Sequence, residues 1–261
     1  MKYIFFVLAA ASISLSACGS SMKIKSDEPT QEIVIDGKYE DWQGKLTYIE
    51  DHEAAVGVHN DREFLYLCVT TQNRATQRKA MGFGFTVWFD PAGGSKKAFG
   101  IRFPLGFSGT RFGGMRPDAN GEQEEPERFL MPTELEILSS EKEDPVKFGV
   151  ADIDGLEVGL AEPRDGFVYE LKIPLKKSQT YKYAIEPGET KVIGVGIETS
   201  KPDLEKLREQ RGGFGGQRPP GEMGGPLGGF GGRGGFGGRE SVGERAKLFE
   251  QFKLWIRVEL N

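Results

Sequence analysis

Cysteine, histidine and long apolar runs are scarce in this chain of 261 residues, which carries two Cys and two His. A helix that crosses a bilayer needs about 20 consecutive apolar residues, and no stretch supplies them. His52 and His59 lie seven apart, flanked by Asp51, Glu53 and Asp61. A metal site wants closer or convergent ligands, so both read as loop histidines. Enzyme signatures are missing too: there is no Gly-x-Ser-x-Gly elbow, no His-Glu-x-x-His and no phosphate loop. Gly-rich stretches lack the strand–Gly–helix setting of a nucleotide site. The pair Glu124–Glu125 falls in a loop, whereas a glycosidase needs two carboxylates at a defined separation. The expectation is a protein that is not an enzyme and needs no cofactor. Helical periodicity is equally thin, confined to short candidates at Pro202–Gln210 and Ala246–Phe252.

What is present is alternation. Ile33 and Ile35 precede the turn pair Asp36–Gly37. Leu65, Leu67 and Val69 follow the Asn60–Asp61 turn. Phe83, Phe85, Val87 and Phe89 stop at Asp90–Pro91, and Phe99, Ile101 and Phe103 stop at Pro104. Further runs occur at Leu135/Ile137, Phe148/Val150, Leu156/Val158/Leu160, Phe167/Tyr169/Leu171/Ile173 and Ile193/Val195/Ile197. Phe252, Leu254, Ile256, Val258 and Leu260 close the chain. Period-two patterning between turn residues argues for an antiparallel all-β protein. Roughly nine or ten strands predict a two-sheet β-sandwich.

Two insertions interrupt this pattern. The first, at about 105–132, is a long loop carrying Phe107, Arg111, Phe112, Met115 and Arg116. The second, at about 211–239, holds 15 Gly in 29 residues and repeats Gly-Gly-Phe-Gly-Gly from Gly212, Gly228 and Gly234. So many glycines bury too little side chain to offset their ordering entropy, and the composition predicts a disordered spacer. Its Arg211, Arg218, Arg233 and Arg239 face Glu222 alone. That makes it locally basic and similar to arginine–glycine segments that touch RNA.

The first residues explain why nucleic acid is not the expected partner. Lys2 is followed by an apolar run from Tyr3 to Leu15, then by Ser16, Ala17, Cys18 and Gly19. A positive charge, a short apolar core and a small-residue cleavage site form an export signal over residues 1–17. Leu15-Ser16-Ala17-Cys18 resembles the bacterial lipobox. That resemblance implies cleavage before Cys18, a diacylglycerol on its sulfur and a membrane anchor. Gly19, in place of Asp, favours the outer membrane. Each buried acyl methylene contributes about 0.8 kcal/mol, so several chains anchor stably. Residues 18–31 read as a flexible tether and 32–261 as the domain. With Lys2 removed, the formal charge moves from −5 to about −6, a mildly acidic chain. A lipidated Cys18 also leaves Cys68 without a disulfide partner, and its apolar strand setting marks it as a core residue.

A second resemblance rests on several motifs in order. These are Ile35-Asp36-Gly37 followed by Asp41-Trp42, Asn60-Asp61 followed by Phe64-Leu65-Tyr66-Leu67-Cys68-Val69, Val87-Trp88-Phe89-Asp90-Pro91, and the closing Phe252-Lys253-Leu254-Trp255. Together they resemble family 9 carbohydrate-binding modules and the neighbouring DOMON-like sandwiches. The resemblance implies a β-sandwich that binds sugar between aromatic side chains. It also implies structural calcium, for which Asp61 and Asp90 are the candidates beside their ordinary reading as turn residues. The DOMON side of it implies haem. Fold alone does not assign function.

Three tryptophans are therefore weighed singly. Trp42 reads as a packing residue at one end of the sandwich. Trp88 alternates with Val87 and Phe89, and Trp255 alternates with Leu254 and Ile256, so both point outward. With Arg257 they are the candidate ligand-binding residues, because aromatic faces stack on sugar C–H groups while polar neighbours bond hydroxyls. The alternative is that they cover the sheet beneath a loop. The functional expectation is a lipid-anchored envelope protein that binds a glycan. The second reading is an interaction subunit of an envelope protein complex, and the third a haem carrier.

Overall fold

The structure is a computed structural model that describes residues 22–106, 131–140, 142–161, 166–201 and 250–261. Among these residues twelve strands run in chain order: Met22–Lys25 (β1), Thr47–Ile49 (β2), Ala54–Asn60 (β3), Phe64–Thr71 (β4), Phe85–Asp90 (β5), Phe99–Arg102 (β6), Glu134–Ser139 (β7), Lys142–Gly149 (β8), Glu157–Leu160 (β9), Phe167–Pro174 (β10), Val192–Thr199 (β11) and Lys253–Glu259 (β12). Among the described residues there is one α-helix, Arg74–Phe83 (α1), which joins β4 to β5. The strands form a seven-stranded sheet, β1-β12-β11-β5-β6-β7-β8, and a five-stranded sheet, β2-β3-β4-β10-β9. This is an all-β, two-sheet sandwich.

The core follows from the alternation. Phe85, Val87 and Phe89 of β5, Val195 and Ile197 of β11, and Leu254, Ile256 and Val258 of β12 face Leu67 and Val69 of β4 and Tyr169 and Leu171 of β10. Fully burying such a side chain contributes about 1.5–3 kcal/mol. Phe85 packs against Tyr169 with ring centroids 4.8 Å apart, joining the two sheets.

A second, smaller apolar cluster lies on the outer face of the five-stranded sheet. There Ile33, Trp42, Cys68 and Val168 pack together. Gly57, Cys68, Glu170 and Gly159 stand in one row across β3, β4, β10 and β9. The segment bearing Ile33 to Trp42 lies over that row. Gly57 makes room for it: a Cβ there would sit 2.6 Å from the Trp42 ring. Ile33 and Ile35, expected in a strand, belong to this strap and pair with no ladder.

Four further differences from the sequence reading have physical causes. Residues 22–25 belong to the sheet rather than to a tether reaching residue 31. Ile24 is buried, and β1 adds to β12 in parallel, the one parallel pair among otherwise antiparallel described strands. β2 and β3 had no clear alternation, since β2 is the three residues Thr-Tyr-Ile and Ala54, Ala55 and Gly57 take the place of larger apolar residues in β3. Phe83 ends α1 rather than opening β5. The helix itself has a weak apolar pattern, with Thr76, Lys79 and Ala80 as its buried residues. Local signals define its ends: the Asn73 side chain accepts from the Thr76 amide at 3.0 Å, and Gly84 follows with a φ of +102°. Residues 202–210 and 211–239, and 107–130 of the first loop, lie outside the described residues. So do 246–249 of the second helical candidate, while 250–252 are not helical.

Candidate glycan platform

The outer face of the seven-stranded sheet is built in rows. Trp255, Gly196, Trp88 and Gly100 lie in register across β12, β11, β5 and β6. Neighbouring strands are about 4.8 Å apart, so the two Trp backbones are roughly 10 Å apart on one face. The glycines decide how the rings lie. A Cβ at position 196 would fall 2.5 Å from Trp255 Cζ2, and one at position 100 would fall 2.6 Å from Trp88 Cε3. Each indole therefore lies down over the glycine of the adjoining strand, which no larger residue permits. Both rings are half-buried, with one face against the sheet and part of the ring open.

The next row supplies polar groups. Lys253, Glu198, Thr86, Arg102 and Glu136 align across β12, β11, β5, β6 and β7. Trp88 Nε1 donates to Glu198 Oε1 at 2.8 Å. Lys97 Nζ pairs with the same oxygen and stands 5.1 Å from the Trp88 ring centroid. Arg102 Nη1 donates to Glu136 Oε2 at 2.8 Å. Thr86, Lys97, Arg102, Glu198, Gln251 and Lys253 line an open groove of about 540 Å³, which lies beside the two tryptophans and is not lined by either. A flat aromatic floor beside a paired lysine and glutamate can stack on an apolar ring face and bond hydroxyls at its edge.

The structure thus brings Trp88 and Trp255 together in one row and sets Arg257 in the adjoining row, on the side of Trp255 opposite Lys253. Arg257 is exposed one row away, with Lys23 opposite it on β1 and Gly194 on β11. Lys97, Glu198, Arg102 and the two floor glycines were not singled out in the sequence. The available signal was a glycine at the outward position of a strand facing an outward Trp.

The remaining candidates are occupied elsewhere. Trp42 is buried and packs over the other sheet. Its Nε1 donates to Glu170 Oε1 at 2.7 Å, while the Gly37 and Asp36 amides donate to Oε2 at 2.6 and 3.0 Å. Burial pushes the Glu170 carboxyl above its ordinary range despite these donors, which act the other way. Asp61 accepts from the Glu63 and Phe64 amides, both at 2.7 Å, and from the Tyr66 hydroxyl at 3.0 Å. Asp90 accepts from the Ala92 and Lys96 amides at 3.0 and 2.8 Å. Both carboxylates therefore close turns, and among the described residues no three metal-ligating side chains converge. His59 is buried on Trp42, with Nδ1 donating to the Asp27 carbonyl at 3.1 Å. His52 Nε2 donates to the Lys253 carbonyl at 3.0 Å. Among the described residues no helix is long and apolar enough to cross a membrane.

No protein-family profile and no curated protein matches the chain. Among solved structures, a family 9 carbohydrate-binding module from Caldicellulosiruptor kristjanssonii in complex with glucose aligns over 70% of this chain and 81% of its own. Its identity is 13% and its TM-score 0.33. A family 9 module from the same organism in complex with cellotriose aligns over 70% and 79%, with 14% identity and a TM-score of 0.33.

Proposed function

We propose that this protein is a non-catalytic, glycan-binding lipoprotein of the bacterial cell envelope, anchored through Cys18 to the outer membrane. The observation that carries the binding reading is the row Trp255–Gly196–Trp88–Gly100, flanked by Lys97 and Glu198. A sugar ring stacks on the indoles, and the lysine–glutamate pair bonds its hydroxyls. Lys97 stands over Trp88 and swings aside on its flexible stem, giving up a cation–π contact of about 0.5–1 kcal/mol. The anchor reading rests on the export signal and on Leu15-Ser16-Ala17-Cys18.

A glycan array probed with the purified protein tests the binding reading. The expected result is a restricted set of bound saccharides, all lost on Trp88→Ala. An empty array, or hits indifferent to Trp88→Ala, rejects it. Mass spectrometry of the N-terminal peptide tests the anchor: acyl mass on Cys18 supports it, and an unmodified thiol rejects it.

A further inference from the structure

We infer that the β1 edge of the seven-stranded sheet faces the bilayer, so that the sandwich stands edge-on upon anionic phospholipid headgroups through Lys23, Lys25 and Arg257. This rests on the Cys18 anchor proposed above.

Chain length sets how far the domain can stand from its anchor. β1 opens at Met22, four residues after Cys18. At about 3.3–3.6 Å per residue, four steps reach at most about 14 Å, whereas a tether through residue 31 would reach about 45 Å. The short leash cannot lengthen without tearing β1 from the fold, and β1 is well held. Ile24 is buried, the Ser26 amide donates to the Glu259 carbonyl at 2.9 Å, and the Asn60 amide donates to the Asp27 carbonyl at 3.1 Å. An acylated Cys18 therefore keeps the start of this edge within about 14 Å of the lipid-bearing residue. The opposite edge, β8, lies six strand spacings off, roughly 29 Å away.

The charge at that edge matches the surface it meets. Lys23 and Lys25 of β1, and Lys253 and Arg257 of β12, are exposed on the outward side. Glu259 is the single acid among the outward positions of these two strands. A cation close to an anionic leaflet strengthens binding by about fivefold. Lysines on an edge strand also deter strand addition, but that role does not depend on where Cys18 lies. Edge-on placement leaves the Trp88–Trp255 face open, which a flat arrangement would cover.

Fluorescence quenching on vesicles tests the orientation. The full-length acylated protein is placed in vesicles of phosphatidylethanolamine and phosphatidylglycerol containing a nitroxide headgroup lipid. A fluorophore is attached through Lys253→Cys or through Lys147→Cys. These positions share one residue row, five strand spacings or about 24 Å apart. The expected result is severalfold stronger quenching at 253 than at 147. A long Gly-Ser insertion after Ser20 should remove most of the difference, and the triple variant Lys23→Gln, Lys25→Gln, Arg257→Gln should weaken it. Equal quenching at both positions, or a difference unchanged by the insertion, overturns the inference while leaving the anchor intact. A protein that does not associate with vesicles overturns the anchor and the inference together.

Discussion

Trp42 donates its indole N–H to Glu170 at 2.7 Å across 128 residues of sequence, and that bond ties the N-terminal strap to the middle of the five-stranded sheet. Glu170 is fully buried and its two oxygens take three N–H donors. The Asp36–Gly37 turn and Trp42 thus serve one carboxylate.

Removing that carboxylate should be costly. Glu170→Ala leaves three donors without their acceptor, and each orphaned buried group costs about 1–3 kcal/mol. A loss of roughly 3 kcal/mol or more is expected, lowering Tm by about 10 °C in a domain of this size. Thermal unfolding followed by circular dichroism measures it. A Tm within a degree of the parent would show that the strap does not depend on Glu170.

The same residue predicts a pH dependence with a defined sign. Burial raises the folded-state pKa of Glu170 above its ordinary value of 4.5. Folding therefore favours its protonated form. Its contribution is full below about pH 4.5 and falls as pH rises through the elevated pKa. Denaturant unfolding of the parent and of Glu170→Gln across pH 4 to 7 isolates this effect, worth about 1.4 kcal/mol for each tenfold change in proton affinity between the unfolded and folded states. The parent should lose stability relative to the variant as pH rises. The opposite slope would mean that the three donors outweigh burial.

Two glycines of β11 should respond differently to the same change. A Cβ at Gly194 would run into the Gly94 carbonyl oxygen, which is backbone, whereas a Cβ at Gly196 would meet the Trp255 ring, which can swing outward. Gly194→Ala should destabilise by about 1–3 kcal/mol. Gly196→Ala should cost less but shift tryptophan emission toward that of an exposed ring. Equal losses of stability with unchanged emission would contradict the flat placement of Trp255.

Cys68 should be inert. It is buried, and burial, reinforced by the Glu170 carboxylate, pushes its thiol well above the ordinary value of 9.0. An aromatic disulfide reagent should titrate it only after unfolding. Rapid modification of the folded protein would contradict its place beneath the strap.

The sandwich was legible because β5, β10, β11 and β12 alternate cleanly, and the outward directions of Trp88 and Trp255 followed from that alternation. β1 was not, because Met-Lys-Ile-Lys resembles a polar leader until β12 is present to pair with it. Glu170 falls at an outward position of the β10 alternation, and Cys68 was read as a core residue with nothing to show what covers it. Nothing local reveals that the distant strap from Ile33 to Trp42 covers both. The platform was half visible. The rings were read, but Glu198 and Lys97 meet Trp88 only through register and a loop, and floor glycines have no meaning until the facing residues are known.

The most direct test of the glycan platform is a calorimetric titration of the strongest-binding oligosaccharide into the parent, Trp88→Ala, Trp255→Ala and Glu198→Ala. Removing an anchoring tryptophan from a binding surface costs on the order of 2 kcal/mol, about thirtyfold in Kd. The platform predicts losses of that size for both tryptophans and a smaller loss for Glu198→Ala, with the fold intact in each. Parent-like affinity in Trp88→Ala and Trp255→Ala would contradict it.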